Sequence, residues 1–205
     1  MNPVLVLMET ELALLDALKK MDEETIVKVF DLYAPPLYNY ALRLCGDSLL
    51  ADHIVGDVFA KLMEKLAAGI GPTSNLRSYL YEMAYHLIVD EARSSQRRLP
   101  LETLTSLKYD AHAAQLGSEE KLLLERVLAA IQHDLTPDQR HVIILRFLEE
   151  FSLRETAAIL DKTVDHVKVI QSRALAKLRN VFEYSGRKKN SPFPRVNPLS
   201  NAFSP

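Results

Sequence analysis

Tyrosines and arginines are interspersed along residues 77–98, and this pairing of side chains can bind single-stranded nucleic acid. Aromatic rings offer faces on which unpaired bases stack, while guanidinium groups bind the phosphates between the bases. Tyr79 and Tyr81 lie about 200° apart around a helix, so they cannot both be buried on one face. The residues expected to form this single-strand site are Arg77, Tyr79, Tyr81, Tyr85, Arg93, Arg97 and Arg98.

The segment 135–182 carries the sequence signals of a helix-turn-helix, a unit that places a helix in the major groove of duplex DNA. Thr136-Pro137-Asp138-Gln139 and Ser152-Leu153-Arg154-Glu155 are capping boxes, and each of them opens a helix. Asp161-Lys162 predicts a tight turn, since Asp tolerates a left-handed backbone. Thr163 then caps a longer helix. This order predicts a DNA-binding domain.

The helix from Val164 to about Val181 is the candidate recognition helix. The apolar positions expected to face the core are Val167, Ile170, Ala174, Leu175 and Leu178. Lys168 or Arg173 would bind phosphate or guanine, and Gln171 would read adenine. The residues expected to contact DNA are Asp165, His166, Lys168, Val169, Gln171, Ser172, Arg173 and Lys177. The alternative is three amphipathic helices with a solvated basic face.

The elements that position these residues are predicted to be helices throughout. Proline removes a backbone donor and disfavours helix at the preceding residue, so we expect a kink or break at Pro35-Pro36. The whole chain is expected to be all-α, with two helical domains joined by a flexible linker. The expected division is an N-terminal extension with a short helix (1–21), a four-helix domain (22–98), the linker (99–118), the helix-turn-helix domain (119–183) and a disordered tail (184–205).

Composition excludes several other classes of protein. The formal net charge is −2, so nucleic-acid binding would rest on local basic clusters rather than on the sum. A single cysteine, Cys45, allows no internal disulfide. The histidines are scattered, so we expect no metal site, no cofactor and no catalytic constellation. No segment approaches the roughly 20 apolar residues of a membrane span, and we expect a cytoplasmic protein that is not an enzyme.

Four stretches in order resemble a bacterial sigma factor of the sigma-70 family, of the small extracytoplasmic-function (ECF) type. FDLYAPPLYNYALRLCGD (30–47) resembles the opening of region 2, and ADHIVGDVFAKLMEKL (51–66) resembles the helix that docks on RNA polymerase. NLRSYLYEMAYHLIVDEARSSQRR (75–98) resembles the helix that captures and melts the −10 promoter element. Residues 135–179 resemble region 4, which reads the −35 element.

This resemblance implies partners and further site residues. It implies core RNA polymerase and promoter DNA as partners, with an anti-sigma factor as a regulator, and it adds Asn75 and His86 to the −10 site. The residues that it assigns to polymerase binding are Asp52, Asp57, Phe59, Lys61 and Leu62. Two alternatives stay open: a stand-alone helix-turn-helix regulator, and a degenerate sigma homologue that acts as a protein-interaction module.

Overall fold

The computed structural model describes the backbone of residues 3–95 and 118–189 and the side chains of residues 11–94 and 122–182. Within these ranges the regular structure is helical, which confirms the all-α prediction. The predicted linker lies almost entirely outside the described residues. The helices are α1 (Pro3–Lys19), α2 (Glu23–Cys45), α3 (Ser48–Ala67), α4 (Leu76–Ser95), α5 (Ser118–Asp134), α6 (Pro137–Ile143), a π-helical turn (Ile144–Leu148), α7 (Leu153–Ile159) and α8 (Val164–Lys189).

Local capping signals set most of these boundaries. Asp22 caps α2 by accepting a hydrogen bond from the Thr25 backbone at 2.9 Å. The capping boxes at Thr136 and Ser152 are both formed. Asp161 adopts the left-handed conformation at φ 50°, and the Thr163 hydroxyl accepts from the His166 backbone at the start of α8. The helix-turn-helix geometry is therefore confirmed.

The prediction of a break at Pro35-Pro36 is wrong, because α2 continues through both prolines as one helix. Each proline removes one backbone donor, but residues of α2 before and after the two prolines are buried. Val29, Leu37 and Tyr40 all face the core of the first domain. Burial of a large apolar side chain contributes about 1.5–3 kcal/mol, so packing of this face offsets the lost hydrogen bonds.

The N-terminal helix α1 is part of the first domain and is longer than predicted. Leu15 and Leu18 are buried in the core that α2, α3 and α4 form. Glu11 accepts a hydrogen bond at 3.2 Å from the backbone of Leu76, at the first turn of α4. A carboxylate at this end of a helix is favoured by the helix dipole. The extension therefore helps to fix the start of α4.

The second domain consists of α5 to α8, with a π-helical turn that the sequence did not predict. The wide turn ends where the Glu149 backbone donates to the Ile144 carbonyl at 3.0 Å. Helix α8 extends to Lys189, so residues 184–189 are helical where a disordered tail was predicted. Residues 190–205 of that predicted tail lie outside the described residues.

The two domains pack against each other. Tyr40 of α2 forms a buried hydrogen bond of 2.9 Å with Nδ1 of His141 on α6. The His141 ring also meets the Tyr85 ring edge-on, with centroids 4.9 Å apart. Burial lowers the pKa of His141 to about 4, so the ring is neutral at pH 7. The described helices thus share one continuous core.

Truncation of Leu18 should test whether α1 belongs to this fold. Leu18 is 1% exposed, and we expect Leu18→Ala to lower the free energy of unfolding by about 2–5 kcal/mol in urea denaturation. Leu12 on the same helix is 55% exposed, so Leu12→Ala is the matched control and should cost under about 0.5 kcal/mol. Equal effects of the two variants would contradict the packing of α1.

Acid should destabilise the protein through His141. Its pKa rises from about 4 when folded to about 6.5 when unfolded, so the unfolded state binds more protons between these values. Stability is therefore lost as the pH falls below about 6.5, by about 1 kcal/mol at pH 5.5. His141→Gln keeps a polar partner for Tyr40 without this proton. Urea denaturation at pH 7.0 and 5.5 should show a smaller loss in the variant than in the parent.

Candidate nucleic-acid interface

Residues of the predicted single-strand site occupy different environments along α4. Tyr79 is half-buried, and the Lys65 ammonium lies 5.9 Å from the centroid of its ring. His86 is exposed beside Tyr85. Arg93 is exposed, and its guanidinium lies 3.5 Å from the Asp90 carboxylate. Arg97 and Arg98 lie outside the described residues.

Asn75 serves to start α4. Its backbone has φ 48°, and its side-chain oxygen accepts a hydrogen bond from the Ser78 backbone at 3.0 Å. Its amide nitrogen donates to Glu155 on α7 at 3.2 Å. In this arrangement of the domains both ends of the Asn75 side chain are engaged by protein, so it is not available to DNA.

Arg77, Tyr81 and Tyr85 lie under the second domain. Tyr81 is 0% exposed, and its ring meets the Phe151 ring edge-on at 4.8 Å. The Arg77 guanidinium lies 4.1 Å from the centroid of the Phe151 ring, a cation–π contact. The side chains of α4 with the strongest single-strand chemistry are therefore covered in this structure.

A buried carboxylate of the second domain joins these groups. Glu149 accepts hydrogen bonds from Arg43 at 2.8 Å and from the Tyr81 hydroxyl at 2.5 Å. Arg77 donates to the backbone carbonyl of Glu149. The Glu149 and Arg43 side chains are 6% and 14% exposed, so this is a buried ion pair. Burial and the adjacent carboxylate raise the pKa of Tyr81, which keeps its hydroxyl protonated as a donor.

Sequence reasoning missed Arg43 and Glu149. Arg43 lies in the last turn of α2, and Glu149 directly follows the π-helical turn. They are 106 residues apart, and no local spacing relates them. A signal for their pairing is present only in the folded chain, where α2 and the π-helical turn meet.

Helix α8 presents most of the predicted DNA-contacting residues to solvent. Lys168 lies 3.0 Å from Asp165 in an exposed ion pair, and such pairs are weak enough to exchange for a phosphate. Leu175 was expected in the buried stripe, but it is 38% exposed. The exposed candidates are Asp165, His166, Lys168, Val169, Ser172, Arg173 and Lys177.

Gln171 differs from its neighbours on α8. It is half-buried, and its side-chain oxygen accepts a hydrogen bond from Arg146 Nε at 3.2 Å. Arginine only donates, so the oxygen must be the atom that faces it. Bidentate reading of adenine needs the amide oxygen and nitrogen together. In this structure Gln171 is thus positioned as a link to the π-helical turn.

The helix predicted to bind polymerase, α3, divides into an exposed and a buried side. Asp52, Asp57 and Lys61 are exposed, whereas Phe59 is buried against Phe30 with ring centroids 4.8 Å apart. Leu62 is 1% exposed. In this structure Leu62 therefore packs in the core of the first domain, and its contact with polymerase stays a prediction.

A groove between α2 and α3 lies beside these exposed residues. It has a volume of about 390 Å³, and both apolar and polar side chains line it. Phe30 is half-exposed there, and a Cβ added at Gly56 would meet no atom within 4 Å. The residues that line it are Phe30, Ala34, Pro35, Tyr38, Asn39, Asp52, Val55 and Gly56.

Other chemistries find no support among the described residues. No group of three or more potential metal ligands occurs in the described ranges. Burial raises the pKa of the Cys45 thiol to about 12, so it stays protonated and unreactive. Among the helices that the structure describes, none is long and apolar enough to cross a membrane.

Both halves of the chain match family models. Residues 29–98 match "Sigma-70 region 2", and residues 133–180 match "Sigma-70, region 4". The ECF RNA polymerase sigma factor SigX of Bacillus subtilis is 30% identical over 166 residues, which cover 78% of this chain and 85% of SigX. BldN, an ECF RNA polymerase sigma factor of Streptomyces coelicolor, is 25% identical over 163 residues, 78% of this chain and 61% of BldN.

Solved structures have the same fold. CnrH, in complex with the cytosolic domain of CnrY, aligns with a TM-score of 0.64 at 20% identity, over 85% of this chain and 97% of CnrH. The sigma factor RpoE of Bartonella quintana, in complex with the anti-sigma factor NepR, aligns with a TM-score of 0.60 at 26% identity, over 76% and 95%. With both regions in order and this likeness to SigX, the chain belongs to the ECF family of RNA polymerase sigma factors.

Proposed function

We propose that this protein binds core RNA polymerase, directs it to promoters and helps to open the duplex at transcription initiation. The observation that carries this proposal is that one chain combines a helix-turn-helix domain with a second helical domain whose α4 bears aromatic and basic side chains. Membership of the sigma family supports the pairing of these two surfaces with polymerase. The protein then acts in the cytoplasm and performs no chemistry itself.

The proposed division of labour follows the exposure of each surface. The exposed face of α8 contacts the −35 element, since Lys168 and Arg173 can neutralise phosphates while Ser172 and Val169 face the bases. Helix α4 captures the unpaired strand of the −10 element. The groove between α2 and α3, with Asp52 and Asp57 nearby, receives polymerase.

Regulation by an anti-sigma factor is part of the proposal. RpoE of Bartonella quintana was solved with the anti-sigma factor NepR, and its likeness to this chain supports a partner of that class. Such a partner would compete with polymerase for the same protein.

Reconstitution with core polymerase and transcription from selected promoters in vitro tests the function as a whole. Stable association and promoter-dependent initiation are expected. A stand-alone regulator would bind duplex DNA without associating with polymerase. A degenerate homologue would associate without initiating at any promoter.

The double variant Lys168→Ala, Arg173→Ala should weaken promoter binding and leave polymerase binding intact. Each lost phosphate contact lowers the slope of log affinity against log salt by about 0.9, so the slope should fall by about 2. Fluorescence anisotropy with a labelled promoter duplex between 50 and 300 mM salt measures it. Lys20→Ala removes an exposed charge next to α1 in the other domain and is the control. An unchanged slope would mean that α8 does not lie against the backbone.

Charge reversal at the α2–α3 groove should weaken polymerase binding. Asp52 is exposed and lines the groove, and we expect Asp52→Arg to lower affinity for core polymerase about tenfold, through like-charge repulsion at a complementary interface. Binding of the promoter duplex by the free protein should not change. Asp16→Arg, on the exposed face of α1, is the matched control, and competition against a labelled sigma factor for core polymerase gives both affinities.

A further inference from the structure

Donor groups of the first domain converge on Glu149. Arg43 comes from α2, and Arg77 and Tyr81 come from α4. All three donate to atoms of Glu149: two to its carboxylate and Arg77 to its backbone carbonyl. The Arg43 guanidinium and the Tyr81 hydroxyl, both directed at the carboxylate, make an anion-binding site, and the Arg77 guanidinium lies beside it. In this structure the anion is supplied by the other domain.

An aromatic ring of the second domain lies beside that anion. Phe151 follows Glu149 by two residues, and its ring lies 4.1 Å from the Arg77 guanidinium and 4.8 Å from the Tyr81 ring. Stacking of a base on arginine and tyrosine uses these same contacts. The segment from Glu149 to Phe151 therefore presents, in order, the negative charge and the flat ring that a nucleotide would present.

We propose that Arg43, Arg77 and Tyr81 form a binding site for one nucleotide of single-stranded DNA, its phosphate on Arg43 and its base on Arg77 and Tyr81, and that Glu149 and Phe151 fill this site while the domains are closed. The proposal rests on the proposed function, because it names the ligand contacts of the −10 surface. It adds Arg43 to that surface, and it makes Glu149 an internal competitor of DNA.

Burial makes the closed form and DNA binding mutually exclusive. Tyr81 is 0% exposed and Arg43 is 14% exposed, so a nucleotide reaches them only when the domains separate. A ligand that binds only the open form shifts the equilibrium toward it, and its apparent affinity is the intrinsic affinity multiplied by the fraction of open protein. Removal of the internal competitor should therefore raise affinity for single-stranded DNA.

Removal of the Glu149 charge should destabilise the closed arrangement of the domains and not the open one. In the closed form the buried Arg43 loses the carboxylate that lies 2.8 Å from it, which is unfavourable. In the open form water solvates Arg43, and the substitution has little effect there. Glu149→Gln should therefore open the domains without unfolding either of them.

The experiment compares Glu149→Gln with Glu150→Gln, its exposed neighbour, in the full-length chain. A fluorescein-labelled 12-nucleotide oligo-dT reports affinity by anisotropy, and small-angle X-ray scattering reports the radius of gyration. Glu149→Gln should bind the oligonucleotide about tenfold more tightly and have a larger radius, while Glu150→Gln matches the parent. An unchanged affinity and radius in Glu149→Gln would overturn the competition between Glu149 and DNA.

Arg43→Gln in the Glu149→Gln background tests the phosphate contact. Affinity for oligo-dT should fall several-fold, and the slope of log affinity against log salt should fall by about 0.7, the value for one phosphate of a single strand. Full affinity with an unchanged slope would overturn the assignment of Arg43. Far-UV circular dichroism of each variant shows whether the helices remain folded.

A second variant, which leaves all residues of the proposed nucleotide site unchanged, tests the same opening of the domains in case Glu149→Gln misfolds. Tyr40→Phe removes the hydrogen bond to His141 across the same domain interface, and it should also raise oligo-dT affinity. If neither Tyr40→Phe nor Glu149→Gln raises the affinity for oligo-dT, the proposal is overturned. Association with core polymerase is measured in parallel, so that a chain with the expected oligo-dT behaviour but no polymerase binding refutes the proposed function and leaves the nucleotide site standing.

Discussion

The ion pair between Glu149 and Arg43 joins the two domains at a place from which water is excluded, and the arrangement of both candidate surfaces depends on it. Burial of a carboxylate costs several kcal/mol unless the group is paired, and Arg43 and Tyr81 offset this cost for Glu149. Loss of either group removes part of that compensation. The domain arrangement is consequently cooperative, and an intermediate separation gains neither solvation nor pairing.

The sequence predicts features of this protein that depend on neighbours within one turn of helix. The caps at Thr136 and Ser152 and the left-handed residue Asp161 are all found where local chemistry places them. Features set by distant packing escape the same reasoning. Helix α2 continues through Pro35 because its apolar side chains are buried in the core. The role of α1 depends on a core that is formed by helices later in the sequence.

The candidate site shows the same limit. Helical periodicity correctly predicts that Lys168 and Arg173 share the exposed side of α8, because that side needs no covering element. Periodicity does not reveal which element covers a given face, so it gave no sign that Phe151 buries Tyr81 in this arrangement of the domains. Leu62 was assigned to a partner surface by its place in a motif, whereas its own helix turns it into the core.

The number of residues in the π-helical turn at Ile144–Leu148 determines which side chains meet at the domain interface. Its closing hydrogen bond spans five residues, from the Glu149 backbone to Ile144, where an α-helix would span four. One residue more or less rotates everything that follows by about 100°. Without the wide turn, Glu149 would face away from Arg43 although no side chain had been exchanged. Two homologous chains with the same charged residues can thus differ in whether their domains close. In an alignment of their sequences, the difference would appear only as a one-residue insertion or deletion.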